Sequence, residues 1–310
     1  MINRDDVLGA RERIAGDLHR TPSFSSATLG PRAFLKAELF QRTGSFKPRG
    51  VLNKLRSLTE EQRGRGVIAA SAGNHAQALA YCARQEGIDA LLVMWSTASP
   101  AKIEATRGYG AEVDLAVSTP DTVFERLGEL QEETGRTLVH AFDDPLVIAG
   151  QGTVGLEIAE DVPDVDVVVV PVGGGGLIAG VATALPNTRI VGVEPSSSTA
   201  LTTGLGAGRS TPVVARSIAD GLNAPFAGEL PIRIAQERGV EVVLVEEEEI
   251  EAAMRFLYER AKLACEPAGA AAVAALQTGK VAVESGETVV AVVTGGNVSA
   301  ETAAAILARP

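Results

Sequence analysis

Short valine-rich runs of apolar residues alternate along the chain with stretches in which apolar residues recur every three or four positions. The runs predict nine strands, at 34–39, 66–70, 89–95, 111–117, 137–142, 165–172, 189–194, 240–245 and 288–293. The stretches between them predict amphipathic helices, for example at 76–87, 99–110, 122–135 and 248–264. Short apolar strands that alternate with helices are typical of mostly parallel sheets covered on both faces.

The number of strands is too large for one small sheet, so we expect two α/β units. The second to fifth predicted strands fall in residues 53–143 and predict a small domain with four strands. The other strands, with the amino-terminal segment, predict a larger domain from 1–52 and 144–310. The predicted fold class is therefore α/β, with two open, twisted, mostly parallel sheets covered by helices.

Composition and charge argue against several classes of function. The chain has 310 residues, of which 45% are hydrophobic and 22% charged, as in a soluble globular protein. Its net charge of −11 argues against a nucleic-acid partner, because such proteins need a basic face. No apolar run reaches membrane-spanning length, and segment 1–16 is too charged for a secretory signal peptide. We expect a cytoplasmic protein with no nucleic-acid or membrane partner.

Cysteines and histidines are few and scattered. Cys82 and Cys265 lie far apart in predicted helices, and we expect both to be small buried apolar groups in a reducing compartment. The three histidines, His19, His75 and His140, are not paired at a metal-binding spacing. The sequence therefore predicts no histidine or cysteine metal site.

Segment 43–50, TGSFKPRG, contains the strongest candidate for chemistry. Lys47 follows a small flexible turn and precedes Pro48, which suits the first position of a helix because the N–H it lacks has no partner there. The pattern predicts that Lys47 is held at a junction between loop and helix. A lysine in a partly desolvated pocket can lose its proton and form a Schiff base. A solvated lysine beside Arg49 is the alternative that this segment alone leaves open.

The strand at 165–172 ends in the glycine run 173–176, which precedes a helix-forming segment. Glycines in this position let backbone N–H groups converge on an anion, although a tight strand-to-helix turn also uses them. The spacing of Gly174, Gly176 and Ala179 also satisfies a relaxed dinucleotide fingerprint. Glu194 follows about twenty residues later, where a ribose-binding acid would lie. The loop by itself therefore leaves a nicotinamide-dependent dehydrogenase open.

Two further loops follow predicted strands. In segment 71–80, SAGNHAQALA, successive N–H groups could hold a carboxylate and Asn74 offers an amide donor, although simple helix capping by Ser71 or Asn74 is the alternative. In segment 294–297, TGGN, Thr294 places a hydroxyl at the carboxyl end of a strand, where α/β proteins bind ligands. Either loop alone is a turn motif.

Taken together, these motifs resemble the fold type II pyridoxal-phosphate enzymes, and within them the threonine/serine dehydratase and serine racemase group. In chain order the matching pieces are SFKPRG at 45–50, SAGNHAQA at 71–78, IAGQGT at 148–153, GGGGLIAG at 173–180, ADG at 219–221, EPAGA at 266–270 and TGGN at 294–297. They extend over almost the whole chain. The resemblance implies a tryptophan synthase beta-like fold, with pyridoxal 5'-phosphate as the cofactor. A nicotinamide-dependent dehydrogenase, the alternative outside this class, leaves the other three loops unexplained.

The resemblance also implies roles for single residues. Lys47 would carry the cofactor, Phe46 would pack on its ring, Asn74 would bond its phenolic oxygen and Thr294 would meet its pyridine nitrogen. The phosphate would lie on Gly173, Gly174, Gly175, Gly176 and Leu177. The implied substrate-binding positions are Ser71, Ala72, Gly73, Asn74, His75 and Gly221, with the substrate carboxylate at Ser71, Asn74 and His75.

Three positions depart from the family pattern. Relatives with racemase activity carry a second serine where this chain has Ala72, and racemisation needs an acid on the face opposite the lysine. Some relatives bind a divalent cation through a glutamate like Glu194 and an aspartate six residues on, where this chain has Ala200. We therefore expect no metal, with Glu194 as the residue that such a site would use. The ring-nitrogen partner is commonly serine, and Thr294 keeps the hydroxyl.

The resemblance implies a pyridoxal-phosphate-dependent lyase that removes water and ammonia from L-threonine, L-serine or both, leaving a 2-oxo acid. The implied partners are a small amino-acid substrate and a second copy of the chain in a homodimer. A serine racemase and a dehydratase of 3-hydroxyaspartate or another β-hydroxy amino acid are the alternatives within the class. A catalytically silent regulator that binds the cofactor is a further alternative.

Overall fold

The computed structural model describes residues 1–119 and 122–309, and the strands in these residues form two sheets. In chain order they are β1 Ser23–Ser25, β2 Ala33–Ala37, β3 Val67–Ala70, β4 Ala90–Trp95, β5 Glu112–Val117, β6 Thr137–Leu138, β7 Val167–Pro171, β8 Arg189–Pro195, β9 Glu241–Val245 and β10 Val289–Val293. The larger sheet has the order β1-β2-β10-β7-β8-β9, and the smaller sheet has the order β5-β4-β3-β6.

Neighbouring strands are parallel in both sheets, except that β1 pairs antiparallel with β2 at the edge of the larger sheet. Every residue of β7 and β10 is buried, because both strands lie inside the larger sheet with helices on its two faces. The predicted α/β fold class with two mostly parallel sheets is confirmed. The domain boundaries at 52/53 and 143/144 remain a prediction, although the smaller sheet falls inside the predicted range.

The helices follow the alternation expected from the sequence. Their bounds are α1 Arg4–Ile14, α2 Pro48–Arg56, α3 Glu60–Arg65, α4 Asn74–Glu86, α5 Pro100–Gly108, α6 Val123–Thr134, α7 Pro145–Asp161, α8 Gly176–Ala184, α9 Ala200–Ala207, α10 Glu229–Glu237, α11 Glu247–Phe256, α12 Pro267–Gln277 and α13 Ala300–Leu307. None of the helices in residues 1–119 and 122–309 has the length and apolar character that a membrane crossing requires.

Small residues let α7 lie in close contact with both α2 and α8. A Cβ added at Gly150 of α7 would collide with the backbone of Arg49 and Gly50, at the start of α2. A Cβ added at Gly180 of α8 would lie 2.5 Å from the carbonyl oxygen of Ile148. Helix α7 therefore holds the start of α2 and the middle of α8 close together, beside the loops that form the site.

The structure differs from the predicted elements in three places. The predicted strand 137–142 stops at Leu138, because the carbonyls of Val139 and Ala141 bond to the side chains of His75 and Lys47. Strand β1 was not predicted, since it has three residues and two of them are exposed. The predicted helix 248–264 is interrupted by a π-helical turn, Leu257–Ala261, after which Lys262 adopts a left-handed conformation with φ of 61°. Cys82 and Cys265 are buried and free, as expected.

Candidate active site

Lys47 lies at the junction between loop and helix that the sequence predicts, immediately before Pro48 at the start of α2. The preceding loop is fastened to the carboxyl end of β10. The N–H of Phe46 donates to the carbonyl of Thr294 over 3.2 Å, and Ser45 forms an isolated bridge with Gly295. These contacts hold Lys47 beside the last residues of a buried central strand.

The amine of Lys47 is held in a largely desolvated place. Its Nζ donates a hydrogen bond to the carbonyl of Ala141 over 3.1 Å and lies 5.1 Å from the centre of the Phe46 ring. Burial lowers the pKa of Lys47 to about 8, and the negative charge of Glu266 opposes this shift. An amine with this pKa is partly neutral near pH 7, so it can act as a nucleophile and as a base.

The glycine run joins β7 to α8 and has no room for side chains. Gly175 precedes α8 with φ of 90°, and no side chain caps the first turn of this helix. A Cβ added at Gly174 would overlap the ring of Phe142, and a Cβ added at Gly176 would lie 2.9 Å from the Cα of that residue. The bare amino-terminal end of α8, which begins with Gly176 and Leu177, is a site for an anion.

The predicted loop at 71–75 lies at the carboxyl end of β3 and leads directly into α4. The residue before the helix is Gly73, which has no side chain to cap it, so capping by Ser71 or Asn74 does not occur. The hydroxyl of Ser71 instead accepts the N–H of Gly73 over 3.2 Å. The uncapped first turn of α4 is a second anion site, of a size for a carboxylate.

The side chain of His75 points away from this anion site. Its Nε2 bonds to the carbonyl of Val139 at 2.8 Å, and its Nδ1 is buried without a hydrogen-bond partner. Burial lowers the pKa of His75 to about 3, and the positive charge of Lys47 adds to the shift. His75 is therefore neutral, and its backbone N–H is the group it can offer to a carboxylate.

A chain of hydrogen bonds through side-chain amides orients Asn74. The Nδ2 of Asn297 donates to the carbonyl of Thr43 over 2.7 Å and to the Oδ1 of Asn74 over 2.8 Å. Because the Oδ1 of Asn74 accepts, its Nδ2 is the donor, and this Nδ2 bonds to the Oε1 of Glu266 over 2.7 Å. One N–H of Asn74 remains for a ligand. Gly221 borders the same place, since a Cβ there would lie 3.6 Å from Glu266 Oε1.

Glu266 is a site residue to which sequence reasoning gave no role of its own. It immediately precedes α12, and its side chain is 3% exposed. Burial raises the pKa of Glu266 to about 7, Asp220 adds to the shift, and the hydrogen bond from Asn74 opposes it. The available signal was an acidic residue before Pro267 at the start of an alanine-rich helix. A carboxyl group that titrates near neutral pH beside a ligand site is a candidate functional group.

Residues 139–142, here called the 139–142 segment, form a wall of the site. The carbonyl of Val139 bonds to His75, the carbonyl of Ala141 bonds to Lys47, and Phe142 packs against the glycine run. Sequence reasoning missed this wall, since the apolar pattern predicted a continuous strand there. The available signal was a histidine and an aromatic residue at the carboxyl end of a predicted strand.

A buried cluster of charges holds the start of α2. Arg49 is 2% exposed and forms hydrogen-bonded ion pairs with Glu38 at 2.8 Å and with Glu157 of α7 at 2.7 Å. The amine of Lys36 also bonds to Glu157 at 2.7 Å. Although burial opposes it, Arg49 and Lys36 hold the pKa of Glu157 below its usual value. Arg49 is therefore a buried anchor between α2 and α7.

Glu194 is engaged by the protein itself. One carboxylate oxygen accepts the N–H of Leu201 at 2.6 Å, and the other accepts both the N–H and the hydroxyl of Thr202, at 2.9 and 2.6 Å. This carboxylate caps α9, so it is not free for the ribose of a dinucleotide. In residues 1–119 and 122–309, no group of three His, Cys, Asp or Glu side chains is placed to hold a metal ion.

The residues fit the cofactor that the resemblance implies. The bare start of α8 suits a phosphate, and Lys47 provides an amine that can lose its proton. Thr294 is 4% exposed and directly follows β10, at the end of the strand beside Lys47. The buried Oγ of Ser45 and Nδ1 of His75, neither of them hydrogen-bonded within the described residues, add polar atoms around the same space.

Comparisons with known proteins identify the class of the chain. Residues 16–295 match the family model described as pyridoxal-phosphate dependent enzyme. The L-threonine ammonia-lyase of Thermotoga maritima is 45% identical over 307 residues, which cover 96% of this chain and 76% of the relative. The catabolic L-threonine dehydratase TdcB of Staphylococcus aureus is 44% identical over 310 residues, which cover 96% of this chain and 90% of the relative.

A solved structure of serine racemase from maize superposes with a TM-score of 0.92 at 36% identity, and the match covers 97% of this chain and 95% of that one. The sequence match, the superposition and the geometry around Lys47 all indicate one class. The chain therefore belongs to the pyridoxal-phosphate-dependent enzymes, with the fold of the fold type II group.

Proposed function

We propose that this chain catalyses β-elimination from L-threonine, L-serine or both, which yields a 2-oxo acid and ammonia. The observation that carries the proposal is the desolvated Lys47 amine, with a pKa of about 8, beside two uncapped helix starts that suit a phosphate and a carboxylate. The relatives named L-threonine ammonia-lyase and L-threonine dehydratase support the choice of substrate, because the similarity extends over 96% of the chain.

Each group has a task in this reaction. Bound pyridoxal phosphate would supply a carbonyl for the substrate amine and an electron-poor ring that accepts the electrons of the broken Cα–H bond. Lys47 Nζ would take the α-proton. The uncapped start of α4, from Ser71 to His75, would hold the substrate carboxylate, so that Cα lies near Lys47. Asn74 would direct its remaining N–H at the cofactor, and Thr294 would face the ring nitrogen.

Phe46 and Gly221 would border the ligand space. Phe46 would pack on the cofactor ring, since its own ring already lies 5.1 Å from the Lys47 amine. Gly221 would leave room for the substrate next to Glu266, because a Cβ added there would lie 3.6 Å from Glu266 Oε1 and 3.9 Å from Asn74 Nδ2. The phosphate would lie on the N–H groups between Gly173 and Leu177.

Racemisation is the second candidate, favoured by the superposition on the maize serine racemase. Ala72 argues against it, because its methyl group has no proton to deliver to the carbanion. Because Lys47 would move a proton on one face of Cα only, loss of the β-hydroxyl would be faster than inversion at Cα.

The test is a direct assay of products. The purified chain, supplied with pyridoxal phosphate, is incubated with L-threonine and with L-serine, and 2-oxo acid, ammonia and D-serine are measured. We expect equal amounts of 2-oxo acid and ammonia, with negligible D-serine, and a rate lower by roughly 10²-fold or more in the Lys47→Ala variant. Absence of 2-oxo acid with both substrates would reject the proposal. D-serine as the main product would favour the racemase.

The assembly and its location are further parts of the proposal. The family resemblance implies a homodimer, and the exposed rings of Phe24 and Phe40, which stack edge to face at 6.4 Å, offer an apolar surface. Free buried cysteines suit a reducing cytoplasm. We also propose that residues 53–143 form a small domain and that the site lies between it and the rest. Light scattering of the purified chain tests the dimer.

A further inference from the structure

The backbone fixes the proton position on the ring of His140. Its Nδ1 accepts the N–H of Asp143 at 2.9 Å and the N–H of Phe142 at 3.3 Å. A ring nitrogen that accepts hydrogen bonds carries no proton, so the proton of the neutral ring is on Nε2. Nε2 has no hydrogen-bond partner among residues 1–119 and 122–309. It is also not among the fully buried side-chain atoms that lack a partner, so it is open to a ligand. His140 therefore presents a fixed donor that the protein itself does not use.

The surroundings keep this ring neutral. Burial lowers the pKa of His140, the charges of Asp143 and Asp144 oppose the shift, and the charge of Lys47 adds to it. A second proton would have to enter at Nδ1, where two N–H groups already point. His140 can therefore donate a hydrogen bond but is not able to supply a proton as an imidazolium.

The place of the ring is set by its neighbours in the 139–142 segment. The next residue, Ala141, binds the Lys47 amine over 3.1 Å. Phe142, whose ring centre lies 4.6 Å from that of His140, packs on the glycine run. The imidazole therefore belongs to the segment whose next two residues contact the lysine amine and the glycine run. Because Lys47 would take the α-proton and its amine contacts Ala141, the β-carbon of a bound substrate would lie within a few atoms of the 139–142 segment.

We propose that His140 is a specificity-determining residue whose Nε2–H donates a hydrogen bond to the β-hydroxyl oxygen of the substrate. The inference rests on the proposed β-elimination. As the Cβ–O bond breaks, its electron pair stays on the oxygen, and the fixed donor stabilises the charge that develops there. The proton that completes the water molecule is the one that Lys47 Nζ has taken from Cα, so the leaving oxygen departs as water. Amino acids without a β-oxygen leave this donor unpaired and are disfavoured.

Two substitutions at His140 test the roles of the two ring nitrogens separately. His140→Asn keeps an acceptor near the Nδ1 position for the N–H groups of Phe142 and Asp143 but removes the distant donor. His140→Gln places an amide N–H near the Nε2 position. Each variant, loaded with cofactor, is assayed for pyruvate from L-serine and from β-chloro-L-alanine, whose chloride needs no hydrogen-bond donor to leave.

We expect His140→Asn to lower kcat/KM for L-serine by about 100- to 1,000-fold, the usual effect of removing one donor to a developing charge. Turnover of β-chloro-L-alanine should stay near that of the unmodified chain, and His140→Gln should recover part of the L-serine activity. Equal losses with both substrates would overturn the inference, because a merely structural role gives this result. If the unmodified chain makes pyruvate from the chloro compound but no 2-oxo acid from L-serine or L-threonine, the proposed function itself fails.

A second measurement does not depend on turnover. Nitrogen NMR of the full chain with labelled histidine distinguishes the tautomers, and the His140→Asn spectrum assigns the resonance among the three histidines of the sequence. We expect His140 to be neutral at pH 7 with its proton on Nε2. A proton on Nδ1, or an imidazolium at this pH, would overturn the inference even if the variants fold poorly.

Discussion

The side-chain amide of Asn74 donates a hydrogen bond to the carboxylate of Glu266 over 2.7 Å, although the two residues lie 192 positions apart. The contact joins the first residue of α4 to the residue that precedes α12. It therefore ties the loop after β3, in the smaller sheet, to the larger sheet. It also sets the direction of the Asn74 amide, which keeps one N–H beyond the bond to Glu266.

The first prediction concerns Lys47. Lys47→Ala should still bind pyridoxal phosphate on the glycine run, and elimination should fall by roughly 10²- to 10⁴-fold or more, because the base is lost. Borohydride reduction of the loaded, unmodified chain followed by peptide mass spectrometry should place the label on Lys47. A label on Lys54, which is on the same helix and is paired with Asp144, would contradict the assignment.

The second prediction tests the phosphate cradle. Gly174→Ala should weaken cofactor binding, because the added methyl group would overlap the Phe142 ring. The dissociation constant can be measured by titrating the visible absorbance. Gly206→Ala in α9, where a Cβ meets nothing within 4 Å, is the matched control and should bind normally. If Gly174→Ala binds as tightly as the control, the phosphate lies elsewhere. Adding Phe142→Ala to Gly174→Ala should recover part of the affinity.

The third prediction follows from the raised pKa of Glu266, about 7. Between its unfolded pKa and pH 7 the folded chain holds a proton that the unfolded chain has lost, so folding is favoured at low pH. The contribution of Glu266 to the free energy of unfolding is thus present near pH 4 and is lost as pH rises through 7. Glu266→Gln should remove this dependence.

Urea unfolding of the cofactor-free chain at pH 5 and pH 8 measures this effect. The stability of the unmodified chain relative to Glu266→Gln should decrease from pH 5 to pH 8, by at most roughly 3 kcal/mol. The other carboxyl groups titrate in both proteins, so their contribution to the pH dependence of stability cancels in the comparison with the variant. A difference that stays constant or increases with pH would show that the carboxyl group is not held protonated by its burial.

The fourth prediction concerns the buried charge cluster. Arg49→Met would leave the carboxylates of Glu38 and Glu157 facing each other without their guanidinium, and should lower the free energy of unfolding by about 3–5 kcal/mol. Arg65→Ala removes an exposed pair with Glu61 and should cost no more than about 1 kcal/mol. Denaturant unfolding at pH 7 measures both values. Similar small losses in the two variants would show that Arg49 is not an anchor.

The fifth prediction rests on Ala72, whose side chain is 6% exposed in the loop before α4. The unmodified chain should give negligible D-serine from L-serine. Ala72→Ser adds a hydroxyl on this loop, and a positioned proton donor is worth roughly 10²- to 10⁴-fold, so D-serine should become measurable. Chiral chromatography of both reactions provides the answer. Abundant D-serine from the unmodified chain would mean that another residue serves the second face.

Much of the fold was predictable, because local patterns control it. Valine-rich runs such as 165–172 contain β-strands of a buried parallel sheet, since only apolar residues suit strands covered on both faces. Pro48 marks the start of α2 and Glu246–Glu249 form the capped start of α11, because capping uses residues next to one another in the chain. The predicted strand at 137–142 was too long. The pattern of apolar residues cannot show that His75 and Lys47 form hydrogen bonds with the carbonyl groups of Val139 and Ala141.

The sequence by itself determined the class of fold, the cofactor family and the loops that carry Lys47, Asn74 and the glycine run. Only the tertiary structure decided which groups meet there. Chain positions far from Lys47 contribute the carboxyl group of Glu266, the carbonyl acceptors of the 139–142 segment and the ring of His140. No local pattern encodes the distances between these groups and Lys47. Their pKa values likewise depend on burial, which exists only once the two sheets have packed around the site.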